Sequence, residues 1–173
     1  MQIKIEEFTA KQIINFYPQQ NIAPEGTFVA AVDNPNTNSL ASRLLKIDGI
    51  ERCMITPSVI SVKYSGNTTD DIRLSVMAEI DDFCAEQSTE IAEDNKLSAA
   101  EQAEAIADAF IRPTLYSDNG DIVIHNITDG VLELSFSGHC AGCPYAQNTL
   151  QNIVARAFKK YMPQIKDVHL REA

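Results

Sequence analysis

Residues 120–144 read GDIVIHNITDGVLELSFSGHCAGCP, and the fold of the second half of the chain turns on this stretch. Apolar residues alternate at Ile122 and Ile124, give way to Thr128-Asp129-Gly130, and resume at Leu132, Leu134 and Phe136. Period-two alternation on both sides of an Asp-Gly turn predicts a β-hairpin whose second strand buries Leu132, Leu134 and Phe136 on one face.

Toward the N-terminus, Ser117-Asp118-Asn119-Gly120 reads as the turn that feeds this hairpin. Before it, Ser98-Ala99-Ala100-Glu101 is a capping box, in which the serine oxygen and the glutamate carboxylate each satisfy a free backbone N–H at a helix start. Ala103, Ile106, Ala107 and Phe110 form the buried face of that helix, which Pro113 is expected to end by disfavouring helical geometry at Arg112. Toward the C-terminus, Leu150, Ile153, Val154, Ala157, Phe158 and Tyr161 make one helical stripe. Pro163 ends that helix, Lys159 and Lys160 sit where its dipole favours cations, and a strand over Ile165–Leu170 closes the sheet. The order helix, strand, strand, helix, strand predicts an antiparallel-leaning α+β domain rather than a doubly wound one.

The first half carries its own pattern. MQIKIEEF and QIINFY suggest two short strands with Phe8 to Lys11 as their turn, and Thr27 to Val32 is β-rich. A short helix should follow with Leu40, Leu44 and Ile47 on one face and Gly49 closing it. Ile50–Thr56 and Val59–Tyr64 flank Pro57-Ser58 as a hairpin, with Ile60, Val62 and Tyr64 on the buried side. From Thr69 a helix follows, with Ile72, Val76, Met77, Ile80, Phe83 and Cys84 at helical spacing. Ala85 to Leu97 is polar without apolar period, so the expected organisation is a domain over 1–87, an acidic linker over 88–97 and a second domain over 98–173. Each should be a mixed or antiparallel-leaning sheet packed with helices.

Composition narrows the function classes. The chain has 173 residues, 45% of them apolar, in the range of ordinary globular proteins. Its formal charge is −10, and Glu79 to Asp108 alone holds ten acids against Lys96. No basic stripe exists to neutralise phosphates, which argues against a nucleic-acid partner. No apolar run approaches the roughly 18 residues of a membrane span. Glu6 and Glu7 stand where a signal peptide would be apolar, and the first arginine is Arg43, so a cytoplasmic, reducing location is expected.

The chemistry concentrates in Gly138-His139-Cys140-Ala141-Gly142-Cys143-Pro144. Two thiols separated by two residues can point into one small volume; Gly142 permits the tight backbone, and Pro144 suits the first turn of a helix. A helix N-terminus there would favour thiolates, the form that binds soft metals and clusters. A lone CxxC is compatible with zinc, a dithiol redox couple or a cluster. A tetrathiolate site needs four ligands, and this domain offers Cys140 and Cys143, so a second copy of the chain is the direct route to four. Cys53, in a strand, and Cys84, on an apolar helix stripe, read as buried inert thiols. His139 reads as a neighbour that hydrogen-bonds or faces water rather than a ligand, and His125 and His169 fall in strands. Asp118 and Asp121 are explained by turn formation.

These residues carry a resemblance. The span IRPTLYSDNGDIVIHNITDGVLELSFSGHCAGCPYAQNTLQNIVARAFKKYMPQIKDV resembles the NifU-like C-terminal domain, with a helix leading to Arg-Pro, an Asp-Gly-Gly-Asp-type turn, a strand hairpin, C-x-x-C-P and a Thr-Leu-bearing helix in that order. FYPQQNIAPEGTF and NSLASRLLKIDGIERCMITPSVISVKY resemble the N-terminal domain of Nfu-type proteins. The resemblance implies a non-enzymatic iron–sulfur cluster scaffold or carrier. In it Cys140 and Cys143 hold a 4Fe-4S cluster shared between two chains, with a 2Fe-2S form compatible. The implied partners are a second copy of the chain when cluster-loaded, upstream assembly proteins, and apoprotein clients. Three departures stand out: Asn119 replaces the first glycine of the turn, Tyr145-Ala146 replace small polar residues after C-P, and Thr9-Ala10-Lys11-Gln12 replace a Pro-Asn-Pro-Asn turn. Asn tolerates positive φ, so the first should be benign. The alternatives from the residues are a thiol–disulfide oxidoreductase and a zinc-stapled interaction module.

Overall fold

The computed structural model describes residues 2–24, 29–32, 39–66, 69–86, 98–116, 119–138, 141, 144–145, 148 and 150–171. The chain divides into two compact units, Met1–Leu97 and Ser98–Ala173. Both are helices packed on sheets, the α+β class.

The first unit is a five-stranded antiparallel sheet in the order β1-β2-β5-β4-β3, with β1 Ile3–Phe8, β2 Ile13–Pro18, β3 Val29–Ala31, β4 Ile50–Ile55 and β5 Ile60–Tyr64. A 3-10 turn over Thr9–Lys11 joins β1 to β2, and Gln12 takes φ 55 to close it, so the altered turn sequence still builds a hairpin. Helix α1 (Leu40–Leu45) is capped by the Ser39 hydroxyl, which accepts from the Ser42 N–H at 3.0 Å. The helix ends at Lys46, three residues earlier than expected; Gly49, at φ 91, serves the turn into β4. Helix α2 (Thr69–Ala85) buries Ile72, Val76, Ile80 and Phe83 against Ile14, Phe16, Ile60, Val62 and Tyr64. The neighbours of that β5 set, Val59 and Ser61, are buried as well, so both faces of the central strands are shielded. Of the β-rich Thr27–Val32 stretch, Thr27 and Phe28 lie outside the described residues, as does the linker expected at 88–97.

In the second unit, helix α3 (Ala99–Ile106) opens on the full capping box, with Ser98 and Glu101 each accepting a backbone N–H. The helix does not stop before Pro113. It widens into a π-helical turn over Ala107–Ile111, in which the Arg112 N–H reaches the Ala107 carbonyl, and continues as α4 (Arg112–Tyr116) with Pro113 inside. Arg112 keeps helical angles, φ −58 and ψ −39. The extra residue in a π turn opens the ladder where the proline ring would otherwise press on a carbonyl, and the missing N–H falls at a break already made.

Strand β6 (Gly120–Thr128) and β7 (Val131–Gly138) form the hairpin, closed by Asp129 and Gly130 at φ 52 and 80. These two positive values are those of the turn that matches strand twist. Leu132, Leu134 and Phe136 are buried together as expected. The last helix is π-wound over Leu150–Val154 and continues as α5 (Ala155–Tyr161); Val154, Ala155 and Phe158 are buried, and Met162 ends it before Pro163. Strand β8 (Asp167–Leu170) starts two residues later than expected and pairs with β7 in parallel. The sheet is therefore mixed, in the order β6-β7-β8. The parallel pairing makes β7, the last helix and β8 a βαβ unit within a domain whose order of elements suggests antiparallel pairing.

Candidate functional site

The CxxC segment leaves β7 at Gly138, which adopts φ 64. A Cβ there would lie 2.3 Å from the Asn119 carbonyl oxygen and 3.5 Å from the Gly120 Cα, so the position admits no side chain. Asn119 is itself at φ 58, as its replacement of glycine required, and Gly120 pairs with Gly138 across the sheet end. The two strand ends thus close on each other backbone to backbone, and the dithiol segment starts from that contact. The Ala141 N–H donates to the Gly138 carbonyl at 3.1 Å, turning the chain immediately beyond it.

Cys140, Cys143, His139 and Gly142 lie outside the described residues. Pro144 and Tyr145 occupy a turn, and described helical geometry begins at Asn148. Pro144 therefore is not in the first helical turn. Its fixed φ serves the turn instead. Tyr145 is 69% exposed, a large aromatic ring directly after the motif.

The remaining candidates separate clearly. The Cys53 thiol is buried, 3.8 Å from the Ala41 carbonyl oxygen, and Cys84 is half-buried. Burial pushes the Cys84 thiol up, with a hydrogen bond from Gln20 partly offsetting it, so Cys84 is not poised as a thiolate. His125 Nε2 lies 2.9 Å from the Ser135 hydroxyl, and His169 Nε2 lies 2.9 Å from Asp167. Among the described residues no three His, Cys, Asp or Glu side chains are arranged to hold a metal ion.

Sequence reasoning missed one constellation. Arg112, buried, donates from Nη1 to Glu104 at 2.7 Å and to Asp108 at 2.8 Å, from Nε to Asp121 at 3.0 Å, and from Nη2 to the Ile122 carbonyl at 3.1 Å. Burial alone would push the guanidinium down, but its hydrogen bond to Glu104 and the charge of Asp108 outweigh it and hold it above its ordinary value. Asp121 also accepts the Ile122 N–H at 2.8 Å, so it is more than the turn residue expected. Asp118, its presumed companion, lies outside the described residues. The signal was available: Glu104, Asp108 and Arg112 recur at four-residue spacing on one helix face.

With this geometry in place, comparison with known proteins is specific. Residues 104–169 match the NifU-like domain, a span that runs from Glu104 through the CxxC segment to His169. The second unit carries a NifU-like domain. A human protein named NFU1 iron-sulfur cluster scaffold homolog, mitochondrial, is 29% identical over 140 residues, covering 75% of this chain and 55% of the relative. The Drosophila sechellia protein of the same name is 28% identical over 185 residues, covering 97% of this chain and 64% of the relative. This chain thus spans between about half and two thirds of the length of these NFU1 relatives. A crystal structure of protein SAV1430 from Staphylococcus aureus aligns with 46% of this chain and 99% of its own, at a TM-score of 0.40 and 16% identity. Among the described residues no helix is long and apolar enough to cross a membrane.

Proposed function

We propose that this protein is a NifU/Nfu-type iron–sulfur cluster scaffold and carrier, with the cluster as cargo and Cys140 and Cys143 as its ligands. The observation that carries the reading is the place of the CxxC segment within the matched domain: it springs from a closed backbone contact at Gly138 and returns to the sheet through the last helix and β8. The relatives named as iron-sulfur cluster scaffolds support the same cargo. Two thiolates per chain leave a 4Fe-4S cluster half-coordinated, so the loaded form is a homodimer with the cluster in its interface; a 2Fe-2S form has the same requirement. Transfer proceeds by ligand exchange, client thiolates replacing Cys140 and Cys143 in turn, with no bond chemistry that calls for an enzyme. Clients are apoproteins with open cysteine sites, and upstream assembly proteins supply the cluster. A reducing compartment such as the cytoplasm keeps the thiols competent.

A second reading draws on one observation. The strand, CxxC, helix and parallel strand order of β7 to β8 is also an arrangement that dithiol oxidoreductases use, so a redox couple at Cys140 and Cys143 is the runner-up. Anaerobic reconstitution with iron and sulfide, followed by visible absorption and metal analysis, separates the two. A stable iron–sulfur chromophore supports the carrier. Its absence, with a reversible two-electron dithiol couple, supports the oxidoreductase, and stoichiometric zinc without iron supports a zinc-stapled module.

A further inference from the structure

We infer that Asp121, held by Arg112, is a positioning residue for the dithiol segment: the charge cluster of the first helix of the unit fixes the strand end from which Cys140 and Cys143 are presented. The inference rests on the cluster-carrier reading for its function, though not for its geometry.

The physical path is short and continuous. Arg112 binds β6 at two adjacent points, the Asp121 carboxylate at 3.0 Å and the Ile122 carbonyl at 3.1 Å. Asp121 in turn clamps its own strand by accepting the Ile122 N–H at 2.8 Å. The residue before it, Gly120, pairs with Gly138, and the backbones approach so closely there that a Cβ at 138 would lie 2.3 Å from the Asn119 carbonyl oxygen. The β6 end that Arg112 and Asp121 fix is therefore the direct backbone neighbour of Gly138. Buried ion pairs seldom add net stability over apolar packing of the same volume, and their best use is to fix geometry. Here the π turn places the arginine. The Arg112 N–H bonds the Ala107 carbonyl across that widened turn, and the Asp108 and Glu104 carboxylates both reach its Nη1.

The cluster has two kinds of carboxylate, and that makes the inference testable. Glu104 and Asp121 each bind Arg112, but Glu104 lies on the helix and Asp121 on the strand that abuts Gly138. Both are partly exposed, so Glu104→Gln and Asp121→Asn each remove one charge without opening the core. If Asp121 positions the segment, Asp121→Asn raises the alkylation rate of Cys140 and Cys143 in the full apo chain at least about threefold and shortens the lifetime of the reconstituted cluster by a similar factor. Glu104→Gln leaves both within about a factor of 1.5. Urea midpoints for the two variants separate this from general loosening. Equal effects of the two substitutions, or no effect of Asp121→Asn on thiol reactivity, would overturn the inference. Thiol reactivity is read without iron, so a chain that assembles no cluster at all counts against the carrier reading and leaves the alkylation comparison to decide this one.

Discussion

Phe110 and Tyr161 stack face to face, their ring centroids 4.4 Å apart and their planes 4° from parallel. Phe110 lies in the π turn before Arg112, and Tyr161 in the last turn of α5, so the stack joins the helix that enters the second unit to the helix that follows the dithiol segment. Replacing Phe110 with alanine should cost about 2 kcal/mol, below the full penalty for a buried phenylalanine because the ring is only half-buried. Urea unfolding checks this, and since residues 98–173 have their own capped helix, sheet and core, the truncated unit should fold and show the same loss. A truncated chain without amide dispersion would contradict that.

The two glycines with the same backbone sign make a controlled pair. Gly66 has φ 92 and open space around it, whereas Gly138 has φ 64 and a backbone oxygen where a Cβ would sit. Gly66→Ala should cost about 1 kcal/mol, the left-handed penalty alone. Gly138→Ala must in addition push Asn119 away and should cost at least about 3 kcal/mol. Hydrogen–deuterium exchange of the full chain reads both: fast exchange across β6 and β7 in the second variant, near-native protection in the first.

Ligand identity follows from the grouping of thiols. Cys140→Ala and Cys143→Ala should each abolish cluster retention, while Cys53→Ala and Cys84→Ala should retain it. The buried Cys53 site should lose about 1 kcal/mol of stability on truncation without changing the absorption spectrum. Loss of the chromophore in a folded Cys53→Ala protein would require a ligand set other than the one proposed.

Assembly should track iron. Apoprotein should sediment mainly as monomer and loaded protein as dimer, with about four irons per two chains, since the cluster supplies free energy to the dimer alone. Metal-bound thiolates must stay deprotonated, so acidification should release iron and dissociate the dimer together, with stability of the complex present at neutral pH and lost as pH falls. A loaded species of monomer mass would rule out shared coordination.

Much of this fold was legible because its signals are local. The Asp129-Gly130 turn, the Ser98 capping box and the stripe containing Val154 and Phe158 each declare themselves within a few residues. The readings that failed needed information from elsewhere in the chain. Pro113 lies inside a helix because a π turn, anchored by Arg112 reaching β6, absorbs a clash that the local rule treats as terminal. Pairing direction for β8 is set by the length and path of the connection, which alternating residues do not encode. At the site, the CxxC spacing was plain, whereas the need for glycine at 138 comes from Asn119, nineteen positions earlier. The arginine cluster was readable from its spacing on the helix but not from the strand residue that completes it.

The parallel pairing of β7 with β8 also sets an order in time. The β6–β7 hairpin closes through two residues and should form within microseconds, whereas the β7–β8 ladder must wait until the dithiol segment and the last helix have been threaded between its strands. Pulse-labelling should accordingly protect Phe136 before Leu170. The last helix and β8 thus complete the domain only after the hairpin that leads into the motif has formed.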